Sequence, residues 1–320
     1  MTTRVYLTFD VEVWCPSWDG LDDAFPVAFE RYVYGRSRHG AFALPRTLQI
    51  LSDHGLKGVF FVEPLFALRF GVQHLRTITH LIQEAGHDVQ LHLHPEWVDE
   101  IRPPLLPDVS RKRQHLTHYS LDEQAALIQA ARQTLEAATG TTLHAFRAGS
   151  YAVNADTFKA MQRAGLQVDS SLNEAFDHSA GSIDAGGFGQ VQRFGDVISY
   201  PVTTFRDGFR RPRPLQVGAC SFGELRDVLL AAHDAGCEHV VLVSHNFEML
   251  KPGTTQPDFI VVRRFERLCA FLAAESQKFS VGSYPLHPNA APAMGDRAAL
   301  RASMRSTGQR YVEQAIRRLR

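Results

Sequence analysis

Apolar positions along the chain fall into two alternating patterns. Short apolar runs at Val5–Phe9, Gly58–Val62, His87–Leu93, His144–Phe146, Leu166–Asp169 and His239–Ser244 read as buried strands. Between them lie stretches of helical periodicity, among them Leu44 to His54 with Leu44, Leu48, Ile50 and Leu51 on one side, and about Gln73 to Ala85. Capping boxes at Ser120…Glu123 and Ser221…Glu224 open helices running to about Ala138 and Gly236. Asn154 caps another, and the last core helix covers about Asp258 to Glu275. Strand and helix in strict alternation predict a parallel sheet with right-handed crossovers, either open or closed into a barrel. Three stretches lack either period. Residues 14–40 and 102–119 read as loops, and 173–219 as irregular strands and loops, with Val197 to Val202 as a β-type stretch.

Polar residues collect where the apolar runs end. Asp10 and Glu12 leave the first strand on one face, because side chains two apart share a face, and His92 and His94 leave the third in the same way. Pro95 has no N–H to donate, so it stops that strand and holds both imidazoles at its carboxyl end, where α/β proteins place their chemistry. Arg147 follows the next strand and precedes the turn Gly149-Ser150-Tyr151, while Asp169 and His245-Asn246 end later ones. Each feature alone has a bland reading: an H-x-H pair packs in a surface, an Asp caps a loop, an Arg lies beside a turn. Together, a carboxylate and two imidazoles suit Zn²⁺ or a related divalent ion with positions left for water and a substrate oxygen.

Composition narrows the classes. A hydrophobic fraction of 44% over 320 residues supports a full core, and 34 basic against 34 acidic residues give no reason to expect nucleic acid as partner. Cys15, Cys220, Cys237 and Cys269 show neither C-x-x-C spacing nor the density of a disulfide scaffold. With no basic region and apolar run at the start and no membrane-length apolar stretch, the expectation is a cytoplasmic protein without an integral membrane segment. The expected division is a catalytic domain over 1–282, then a linker and basic C-terminal helix over 283–320. In that tail the arginines suggest a solvated face or an anionic partner, and Leu300, Met304, Val312, Ile316 and Leu319 an apolar stripe able to pack on the domain.

In this order of motifs, the sequence resembles the polysaccharide deacetylase family, also called carbohydrate esterase family four or the NodB-homology fold. Thr8–Glu12, Gly86–Pro95, Phe146–Tyr151, Val168–Leu172 and Val241–His245 look like its five motifs, over roughly Arg4 to Phe279. The resemblance implies an α/β fold, a distorted and incomplete (β/α) barrel. It also implies hydrolysis of an N-acetyl group on an amino sugar or glycan, aided by one divalent ion, Zn²⁺ first, with Co²⁺, Ni²⁺, Mn²⁺ or Fe²⁺ as alternatives. Carried over by residue, Asp10 is the general base, Glu12, His92 and His94 hold the metal, Arg147 orients Asp10, and Asp169 tunes His245, the general acid. Tyr151, Ser150, Trp14, Glu96 and Asn246 are candidates to line the substrate or steady the oxyanion.

Three departures accompany the likeness. The usual metal Asp is Glu12; the histidines stand two apart, with Glu96 in the usual second position, so either His94 or Glu96 completes the metal site; and Gly149-Ser150 replaces a proline before Tyr151. The cytoplasmic expectation favours a nucleotide- or lipid-linked precursor of a surface polysaccharide as substrate. A formyl group in place of acetyl, small cyclic amides, or a non-catalytic carbohydrate-binding relic are the other readings, and no oligomeric state is implied.

Overall fold

The structure, a computed structural model, describes residues 2–176, 183, 190–288 and 299–319. Two compact units divide the chain: Met1–Gly58, Thr203–Ser283 and Ala298–Arg320 form one, and Val59–Val202 with Tyr284–Arg297 the other. Among the described residues, no helix is long and apolar enough to cross a membrane.

In the first unit, the strand Thr3–Val11 runs parallel to His239–His245 on one side and Phe279–Val281 on the other. Val5, Tyr6 and Leu7, and Val240 through Val243 on the neighbour, are all buried. Such runs are apolar at consecutive positions because parallel strands are covered on both faces. The register sets Asp10 opposite His245. Helices Leu44–Asp53, Phe222–Asp234 and Phe259–Ala274 fall where their periodicity and caps predict, and the Ser221…Glu224 box is closed in both directions.

Two features of this unit differ from expectation. Residues 14–40 are not one loop: Leu21–Phe29 is helical and continues as a π-helical turn, Glu30–Tyr34, burying Leu21, Phe25, Ala28, Phe29 and Val33. Pro26 inside the helix hid that spacing, since proline normally argues against a helix interior.

The tail is helical only from Met304 to Leu319, and it packs on its polar face. Ser306, Thr307 and Arg310 are buried, whereas Met304 is 66% exposed and Val312 60%. Arg310 explains the inversion. Its Nε donates to both oxygens of the buried Glu224, at 3.0 and 3.1 Å, and its Nη2 to the buried Asp207 at 2.8 Å. Thr307 adds a hydroxyl donor to Glu224, and Arg264 pairs with Glu313. Two carboxylates out of water require a cation, and that requirement outweighs the gain from covering a few aliphatic side chains.

In the second unit, Val59–Val62, Asp88–Leu93, Ala145–Ala148, Val168–Asp169 and Val197–Ser199 pair in parallel in that order, with Gln192–Phe194 antiparallel at the edge. The crossovers are the helices Val72–Glu84, Leu121–Thr139 and Ala155–Arg163, the last two opened by the expected caps Ser120 and Asn154. Residues 102–119 hold one short turn of 3₁₀ helix, Leu116–His118. Of the irregular stretch after Asn173, residues 177–182 and 184–189 lie outside the described residues.

Candidate active site

At the carboxyl end of the first unit's strands, Asp10, Glu12 and His245 offer ligand atoms that all lie within 4.8 Å of one another. Asp10 and Glu12 are buried. The Glu12 carboxylate accepts from Trp14 Nε1 at 2.6 Å, so Trp14 steers the carboxylate rather than standing apart from it. Asn246 clamps the backbone: its Oδ1 accepts from the Glu12 N–H at 3.1 Å, and its Nδ2 donates to the carbonyls of Glu12 and Tyr32 at 3.1 and 2.6 Å. Asn246, a candidate for the substrate wall on sequence, is thus a buried amide committed to main-chain groups that holds Glu12 in place.

His245 Nε2 lies 4.0 Å from Asp10 Oδ2, and its Nδ1 is 3.0 Å from Glu248 Oε1. Glu248 is itself held by the Gly218 N–H at 2.6 Å, the Ser244 hydroxyl at 3.0 Å and the Gln216 amide. Burial pulls the imidazole down, but the hydrogen bond to Glu248 and the charges of Glu12, Glu248 and Asp10 outweigh it and hold the group up at about 9. Asp169, expected to tune His245, is engaged elsewhere. Its carboxylate accepts from the Ser171 N–H at 3.1 Å and the Ser199 hydroxyl at 2.5 Å, and burial raises its pKa against these bonds and the nearby Arg147. The carboxylate hydrogen-bonded to His245 is that of Glu248.

In the second unit, His92 and His94 are both buried, with ring centroids 4.8 Å apart. The His92 Nδ1 is 2.7 Å from the Arg147 carbonyl. A carbonyl only accepts, so Nδ1 carries the proton and Nε2 is the basic nitrogen, the tautomer typical of a histidine that binds metal through Nε2. His94 Nδ1 is fixed in the same sense by Glu96 Oε2 at 3.2 Å. Glu96, open as a ligand on sequence, thus acts on His94. The turn that follows Arg147 explains a second departure: a Cβ on Gly149 would stand 2.6 Å from His94 Nδ1, so glycine makes room for the ring that the H-x-H spacing brings there. Ser150 and Tyr151 then take left-handed φ of 54° and 56°, strained for residues with a Cβ and typical of functional turns.

Arg147 is fully buried, its guanidinium donating to the carbonyl and hydroxyl of Ser170 at 2.9 Å each and lying over the Phe61 ring. Glu63 was not singled out on sequence, although it follows the run Val59–Val62 as the other polar ends follow theirs. Burial raises it to about 8, offset in part by the Leu65 N–H at 2.9 Å and the neighbouring His94. Glu248 is the other residue missed. It sits three positions past His245 in a turn, where periodicity carries no signal.

Parallel strands with crossover helices, ending in buried carboxylates and histidines, are the build of an α/β protein with its chemistry at the carboxyl ends of the strands. The chain belongs to the polysaccharide deacetylase family, whose model matches residues 2–168, just over half of it. Among solved structures, the chain is similar to a candidate polysaccharide deacetylase from Mycobacterium smegmatis, at 19% identity and a TM-score of 0.51, covering 90% of this chain and 95% of that one. A family 4 carbohydrate esterase from Streptomyces lividans, with acetate bound, shows 15% identity and a TM-score of 0.42 over 91% and 98% of the two chains. A family 4 pseudoenzyme from Bacillus anthracis shows 15% and 0.42 over 87% and 63%. No curated protein matches the chain significantly. The first likeness shows the expected fold, α/β of the polysaccharide deacetylase type.

Proposed function

We propose that the chain is a metal-dependent hydrolase that removes an N-acetyl group from an amino sugar carried on a nucleotide or lipid, as a precursor of a surface polysaccharide. The observation that carries this reading is the fixed tautomer of the buried His92, supported by His94 beside it. These donors fit a borderline ion such as Zn²⁺, with Glu12 as the third ligand. When bound, the ion supplies a Lewis acid that polarises the acyl carbonyl and acidifies water.

The chain's own residues then divide the proton traffic. Asp10 accepts a proton from the attacking water, with His245 Nε2 4.0 Å from its carboxylate on the acid side. His245 enters protonated, held so by Glu248, and gives its proton to the leaving amine as the C–N bond breaks. Products are acetate and the free amino sugar. Arg147 orients Asp10 from its fixed seat on Ser170, and an N–H of the Arg147–Tyr151 turn is the candidate oxyanion donor.

The test is metal content and acetate release measured together. His92→Ala loses bound metal and activity, whereas Asp10→Asn keeps the metal and loses roughly 10²–10⁴-fold in rate. Full metal retention in His92→Ala overturns the metal site, and absence of metal after reconstitution with Zn²⁺ favours a carbohydrate-binding protein on a hydrolase fold.

A further inference from the structure

Within the first unit, two cavities adjoin on the His245 side. The larger, about 740 Å³, is lined by Arg38, Lys251, Arg317 and Arg318, with Asp258 as its single carboxylate. The smaller, about 390 Å³, shares Lys251, Pro252, Thr254 and Arg317 with it and adds Arg31, Tyr32 and Glu248. Glu248 is the residue that grips His245 Nδ1, so the smaller cavity begins one side chain from the proposed acid.

Charge here is not a by-product of a basic protein, since the chain as a whole balances. Nor is it one helix end favouring cations through its dipole, which would explain Arg317 and Arg318 alone. Arg31 comes from the π-helical turn, Arg38 from the tight turn after Ser37, and Lys251 from the loop that its own N–H closes on the Gln256 carbonyl. Both carboxylates are already spent. Asp258 caps the helix Phe259–Ala274 and pairs with Arg317, and Glu248 is bound by four donors. Among the described residues, Arg31, Arg38, Lys251 and Arg318 have no ion pair. Four cations around the cavities that no acid neutralises match a group of two or more negative charges, and the two adjoining cavities suit a ligand larger than a free anion.

We propose that the joined cavities bind the phosphoryl groups of the substrate's carrier, with Lys251, Arg318, Arg38 and Arg31 as cationic contacts. This rests on the deacetylase reading for the sugar end of the substrate. Phe259, 44% exposed on the same wall and edge-on to His39, offers a ring face to a nucleobase or a prenyl chain.

Calorimetric titration of the full chain with uridine diphosphate and with farnesyl diphosphate tests the site without metal or turnover. Binding is expected to weaken with salt and to fall at least tenfold in Lys251→Ala/Arg318→Ala, with an unchanged melting temperature. Preference for uridine diphosphate supports a nucleotide carrier, and preference for farnesyl diphosphate a lipid carrier. Binding of neither, or binding unaltered in the double variant, overturns the site. His92→Ala, though inactive, should bind diphosphate like the parent. Diphosphate binding in a chain that hydrolyses no N-acyl sugar leaves this site standing and overturns the deacetylase reading alone.

Discussion

His245 serves as an acid only while it holds a proton, and Glu248 sets how far up the pH scale that lasts. The folded group titrates near 9, above its ordinary 6.5, so the acid form is complete at neutral pH and is lost as pH rises through 9. Glu248→Gln removes the charge and the strongest bond to the imidazolium while preserving size. The alkaline limb of the kcat/KM profile should then move down by about one pH unit or more, with the acid limb in place. An unmoved alkaline limb would mean that another group carries that proton. Stability follows the same sign: the pair contributes fully below 6.5 and its contribution is lost as pH rises through 9. At this scale the site was half legible. Asp10, Glu12, His92, His94 and His245 stand where period-two strands end, and period two can be read from a sequence. Glu248 and Asn246 act through a turn and through main-chain groups, which leave no period.

Elements show where local pattern and long-range charge compete. The Ser221…Glu224 capping box was legible because its partners are three residues apart, and Glu224 does close it. That Glu224 also receives Arg310 from 86 residues away was not legible, and this contact decides which face of the C-terminal helix is buried. The aliphatic stripe of Met304, Val312 and Ile316 consequently faces out. Arg310→Ala strands Glu224 and Asp207 without their cation, so it should cost about 3–5 kcal/mol in urea unfolding. Val312→Ser on the opposite face should stay within about 0.5 kcal/mol. Comparable losses for the two would return the aliphatic stripe to the core.

At the scale of the molecule, the alternation of strands and helices carried the fold, because a sheet buried on both faces must be written as apolar runs, and that is a local signal. How the chain is shared between units is not local: Val59–Val202 interrupts the first unit, and residues 298–320 return to it. An ion held by the proposed ligands binds only the folded chain, and mass action then raises stability by about 2.7 kcal/mol at a free metal concentration 100 times Kd. Differential scanning calorimetry should show a melting temperature that rises with Zn²⁺ and falls with a chelator. Glu12→Gln and His92→Ala should each abolish the rise, since each removes a proposed ligand, while Asp10→Asn should keep it. A rise that survives in Glu12→Gln but vanishes in His92→Ala would take Glu12 out of the ligand set.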